Sequence, residues 1–79
     1  MEISHHNMVV GLRQAKKAIG AGRAEIVYLA EDADPFVSVP IIEACEKCGA
    51  KLEFVPTKSA LGRMCRIDVD AAVAVKIKE

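Results

Sequence analysis

Apolar positions along this chain fall into short solid runs, separated by stretches in which they recur at helical spacing. The first run, Met8–Gly11, carries β-branched Val9 and Val10 and reads as a strand. Gly11 ends it and suits the cap of a following helix. From Leu12 to about Gly20, the residues Leu12, Ala15 and Ile19 make one stripe for burial. Arg13, Gln14 and Lys17 stand three and four apart and share the opposite face. Gly20 and Gly22 predict the stop.

The continuous apolar run in Glu25–Ala30 predicts a strand covered on both faces. In the "EDADP" that follows, Asp34 is a natural N-cap and Pro35 a natural first helical residue. That helix should reach Lys47 or Cys48 and end at Gly49. Pro40 inside it predicts a kink, or a start delayed to near Val39. Lys51–Val55 reads as a strand, Pro56–Thr57 as a turn, Lys58 to about Met64 as a short helix, and Arg66–Asp70 as a loop. Ala71–Ile77 is the last strand. The order β-α-β-α-β-α-β, with strands buried on both sides, predicts an α/β fold with one sheet between helices. No repeat, linker or low-complexity stretch divides residues 1–79, so one domain is expected.

Net charge is zero, with 11 bases against 11 acids, which argues against nucleic acid only until position is considered. Residues 8–24 hold Arg13, Lys16, Lys17 and Arg23 with no acid, and residues 57–67 hold Lys58, Arg63 and Arg66 with no acid. Segregation of this kind gives a local positive field on a neutral molecule. The first basic cluster also opens a helix, where the peptide dipoles already leave positive charge and acids are the favoured residues. One reading of that choice is an anion from outside the chain; the other is chance and solvated helix faces.

Other chemistry is sparse. Cys45 and Cys48 fall in the last turns of a helix, where the dipole disfavours thiolate, so packing is the plainer reading than redox. A structural zinc site needs four ligands, and Cys65 and His5–His6 lack zinc-finger spacing. Glu31, Asp32 and Asp34 read as helix-capping residues, and Asp68 and Asp70 lack a third partner for a metal. No nucleophile elbow or phosphate-cradling glycine loop is present, so no enzyme, cofactor or metal is expected. One Tyr and two Phe leave no aromatic platform for stacking bases. The N-terminus lacks a signal peptide and no apolar run suits a membrane span. With an odd cysteine count, a cytoplasmic protein with reduced thiols is expected.

"GLRQAKKAIGAG", "EIVYLAEDADP", "VPTKSALGRMCRIDV" and "AAVAV" together resemble the ribosomal-protein family typified by archaeal L-seven-Ae and eukaryotic L-thirty-e. The similarity spans nearly the whole chain and is nearest to short members from Gram-positive bacteria. It implies a three-layer α/β/α sandwich with a four-stranded mixed sheet. It also implies binding to kink-turn RNA, a bent duplex with tandem sheared G·A pairs, in ribosomal RNA or a regulatory mRNA element and with the ribosome as a setting. DNA and membranes are not implied as partners, and a monomer is.

The resemblance matches Gly11, Arg13, Gln14 and Lys17 to the family's helix-start pattern of Gly, Asn-Glu and Lys. It matches Ile67, Asp68 and Val69 to the recognition loop. Arg13 and Lys17 would meet guanine edges, Gln14 a mixed base edge, and backbone N–H groups of Gly11–Arg13 a phosphate. Ile67 and Val69 would cover an unstacked base, and Arg63 and Arg66 would follow the backbone. Leu12 replaces a common Thr or Ala, and Arg66 and Asp70 stand where glycine is frequent. Those departures favour the alternative, a protein-interaction module that keeps the fold without specific RNA binding. A thiol or metal regulator using Cys45, Cys48 or Cys65 is a third class.

Overall fold

The computed structural model describes residues 7–78. Seven elements follow one another: β1 (Met8–Val10), α1 (Leu12–Gly20), β2 (Ala24–Ala30), α2 (Pro35–Cys48), β3 (Lys51–Val55), α3 (Lys58–Met64) and β4 (Val73–Ile77). They build a four-stranded sheet in the order β1-β4-β2-β3. β4 is antiparallel to both β1 and β2, and β2 is parallel to β3. The sheet is therefore mixed, with the last strand inserted at its centre.

The side-chain period of a strand sends alternate residues to opposite faces. Val27, Leu29, Val73 and Val75 face one way and meet Ala15, Ala18 and Ile19 of α1 and Ile41 and Cys45 of α2. Tyr28, Ala30, Val55 and Ala74 face the other way and meet Leu61 and Cys65 at α3. Two helices cover one face and a single seven-residue helix, with the chain just after it, covers the other. This is the three-layer α/β/α sandwich that the resemblance implied.

α2 starts at Pro35 and runs through Pro40, not from Val39. The amides of Val37 and Ser38 both donate to Asp34 O, at 2.9 and 3.0 Å, and close the first turn before Pro40 is reached. The missing Pro40 N–H withdraws one donor from the carbonyl of Phe36, a residue exposed at the surface. β4 begins at Val73, two residues later than the apolar run suggests, because Ala71 N donates to Lys58 O at 3.1 Å instead of a ladder partner.

Cys45 and Cys65 are buried and Cys48 is exposed. Burial pushes both buried thiols up, and neighbouring Cys48 raises Cys45 further. In the folded protein at neutral pH, a thiol reagent followed by mass spectrometry should modify Cys48 first. Unfolded chain sheds thiol protons from about pH 8.5 upward, while the folded chain retains those of Cys45 and Cys65. Stability should thus be unaffected by these groups below that range and fall as pH rises through it, as read by urea midpoints.

Candidate nucleic-acid interface

Two hydrogen bonds at the start of β4 gather the loops at one end of the sheet. Gly11 N donates to Val73 O at 3.0 Å on one side, and Ala30 N donates to Ala72 O at 2.9 Å on the other. Glu31 N adds a bond to Val55 O at 2.8 Å. The start of α1, the turn before α2, the start of α3 and the segment entering β4 therefore share the end where β1, β2 and β3 finish. Carboxyl ends of strands are where open α/β sheets accept ligands.

Gly11 turns the chain from β1 into α1 with φ 104° and ψ 155°, a combination essentially confined to glycine. Leu12 then turns inward and packs, half-buried, against the α1–α2 core. Arg13, Gln14 and Lys17 are all exposed. Lys17 lies in the last turn by count, but helical side chains tilt toward the N-terminus, so it leans back toward Arg13 and Gln14. No acid stands in the first turn, and among the described residues no carboxylate pairs with Arg13 or Lys17. Gly11 N–H is engaged with Val73, so the amides left at this helix start are those of Leu12, Arg13 and Gln14. The result is a set of donors with no acceptor among the described residues.

The second cluster is built on α3. Thr57 Oγ1 accepts from Ala60 N at 3.0 Å, and Asp32 Oδ1 accepts from Lys58 N at 2.8 Å. Asp32 thus caps α3 from across the fold. Asp34 stands at the N-cap of α2 without a side-chain bond to it. At the other end of α3, Arg66 N donates to Arg63 O and Ile67 N to Gly62 O, at 3.0 and 3.1 Å. This paired ending needs a left-handed residue, usually glycine, and here Arg66 holds φ 57°. Arg66 meets that backbone requirement at some conformational cost.

Gly62 fixes where the loop goes. A Cβ there would collide with the carbonyl oxygen of Val69 and lie 3.3 Å from its carbon and 3.4 Å from Asp70 Cα. The loop backbone rests directly on the helix at that point. Ile67 is half-buried against the α3 core, while Val69 is 68% exposed. Ile67 is therefore an anchor and Val69 the presented apolar side chain. Arg63, Arg66, Asp68 and Asp70 are exposed around them. The sequence reading passed over Gly62. Its signal was an isolated glycine inside a short helical pattern, which marks a packing or functional need.

Among the described residues, no group of three or more His, Cys, Asp or Glu is placed to hold a metal ion. His5 and His6 lie outside the described residues. No helix among the described residues is long and apolar enough to cross a membrane.

Residues 2–79 match the ribosomal protein L7Ae/L30e/S12e/Gadd45 family. The chain belongs to that family. It is 45% identical over 69 residues to an RNA-binding protein of Caldanaerobacter subterraneus subsp. tengcongensis, covering 87% of this chain and 84% of that one. It is 39% identical over 67 residues to the large ribosomal subunit protein eL8 of Nitrosopumilus maritimus, covering 81% of this chain and 51% of that protein. Among solved structures, the Giardia lamblia 15.5kD RNA binding protein superposes with a TM-score of 0.87 at 36% identity, over 94% of this chain and 62% of that one. The chain thus spans only part of its archaeal and Giardia relatives. The family is a ribosomal-protein family, and the relatives carry RNA-binding and ribosomal names, not enzyme names.

Two glycines separate backbone geometry from packing. Gly20 closes α1 with no atom within 4 Å of an added Cβ, so Gly20→Ala should raise stability by about 0.4–1 kcal/mol. Gly62→Ala should lower it by about 1–3 kcal/mol and shift the amide resonances of residues 66–70. Urea denaturation and amide NMR check both.

Proposed function

We propose that this chain binds kink-turn RNA, holding it in its bent form, in a ribosomal RNA or a structured regulatory transcript. The observation that supports this best is the start of α1. A helix end that is already positive presents Arg13, Gln14 and Lys17, and its free amides, with nothing anionic in the described chain to receive them. RNA supplies both phosphates and acceptor-rich base edges.

A-form RNA normally hides its major-groove edges from side chains. A sharp kink opens that groove, and sheared G·A pairs leave guanine O6 and N7 exposed. Arg13 offers a planar fork for those two acceptors and Lys17 a point charge. A good bidentate pair gives about 1–3 kcal/mol of base discrimination in DNA complexes. Gln14 both donates and accepts, which suits a mixed edge. The amides of Leu12–Gln14 suit a phosphate. Across the same end of the sheet, Val69 offers an apolar cover for an unstacked base, with Arg63 and Arg66 beside the loop for the backbone. The relatives' RNA-binding names agree with this class of partner.

The protein-interaction alternative drew on Leu12, Arg66 and Asp70. Leu12 packs into the core and Arg66 fills a backbone role, so neither calls for a protein partner.

Titration into an end-labelled duplex with a standard kink-turn, beside one whose G·A pairs are made Watson–Crick, tests the reading. Only the first RNA should bind tightly and bend. Lys17→Ala should weaken that binding by at least about tenfold while leaving the urea midpoint in place. Equal, weak, salt-erased binding to both duplexes would contradict it and redirect attention to protein partners.

A further inference from the structure

A second cationic surface lies beyond the helix start. A groove of about 340 Å³ runs between the flank of α1 and the ends of β1 and β4. Gln14 and Lys17 stand on its wall, Arg23 and Lys78 at its far end, and Val9 and Ile77 along its floor. No carboxylate is among the described residues that line it. Lys17, Arg23 and Lys78 are exposed, and among the described residues none is paired with an acid.

The backbone builds this arrangement firmly. Gly22, at φ 71°, ends α1 by donating to Ile19 O at 3.1 Å, and Arg23 N follows with a bond to Ala18 O at 3.0 Å. That pair of bonds folds Arg23 back beside the helix. Lys78 N then donates to Arg23 O at 2.8 Å, which joins the end of the sheet to the end of the helix. The main chains of two basic residues far apart in sequence are thereby held side by side.

We infer that this groove carries the sugar–phosphate backbone of one RNA stem leaving the helix-start site. The inference rests on the RNA reading above. Continuity points to it, because Gln14 and Lys17 belong to both surfaces. Shape points to it as well. Three cations spread along a groove suit a linear polyanion better than a single phosphate. The apolar floor of Val9 and Ile77 suits ribose faces between phosphates. These contacts read no bases, so they add affinity and orientation but no sequence preference.

The test uses the double variant Arg23→Gln/Lys78→Gln, with a denaturation midpoint to confirm folding. Its probes are a kink-turn RNA with two long stems, two versions each with one stem cut short, and the Watson–Crick duplex. On the long-stemmed RNA the variant should bind on the order of tenfold more weakly at low salt, with the salt slope reduced by about 1–2. Shortening one particular stem should abolish the difference from wild type. Unchanged binding by the variant overturns the groove assignment. So does an equal loss on all the RNAs, which marks a diffuse field instead of a contact path. Competition by polyglutamate as strong as by RNA assigns the groove to acidic polypeptide and also overturns it. Wild type binding the kinked and Watson–Crick duplexes alike counts against the kink-turn reading alone, and the groove then still stands if the variant's deficit disappears when one stem is cut short.

Discussion

The start of β4 is held from both sides, and the candidate interface depends on that grip. Gly11 N reaches Val73 O and Ala30 N reaches Ala72 O. Through the first bond the chain leaving β1 is placed beside the chain entering β4. Through the second, the turn after β2 joins them. Strand insertion at the centre of the sheet thus brings residues 11–17 and 66–70 to one end, although some fifty positions separate them.

On that frame, packing and recognition divide the work residue by residue. Leu12 and Ile67 point into the two cores, and their neighbours Arg13 and Val69 point out. Each anchor fixes its exposed neighbour without consuming it. The thin side of the sandwich is the more demanding. One short helix must cover half the sheet, so the chain after it has to lie close, and Gly62 permits this. The loop that presents Val69 is therefore also part of the cover over the α3 core. Changes that loosen it should be felt in stability as well as in binding.

Most of the fold was legible because strand and helix periods were clean and the punctuation was glycine and proline. The bounds of α1, β3 and α3 followed from Gly11, Gly20, Gly49 and Pro56–Thr57. Where reading and structure part, a long-range bond decides. The start of β4 shifted because Ala71 pairs with Lys58, and Asp32 caps a helix 26 residues away. No local pattern encodes either partner. Among the candidate site residues, charge placement singled out Arg13, Lys17, Arg63 and Arg66, and helical spacing put Gln14 on the face of Arg13 and Lys17. The split between half-buried Ile67 and exposed Val69 was not legible, because a loop has no period. Gly62 had a visible anomaly whose meaning emerged only once Val69 was seen against it.

The central claim is that charge at the start of α1 serves an external anion at no benefit to the fold. The most direct measurement pairs urea denaturation with kink-turn RNA titration on Arg13→Glu. The expected result is a protein as stable as wild type or more stable by about 0.3–1 kcal/mol, since an acid suits a helix N-terminus, together with at least tenfold weaker RNA binding. Lost stability with RNA binding intact would contradict the claim, and would mean that Arg13 is held by an anion within the chain.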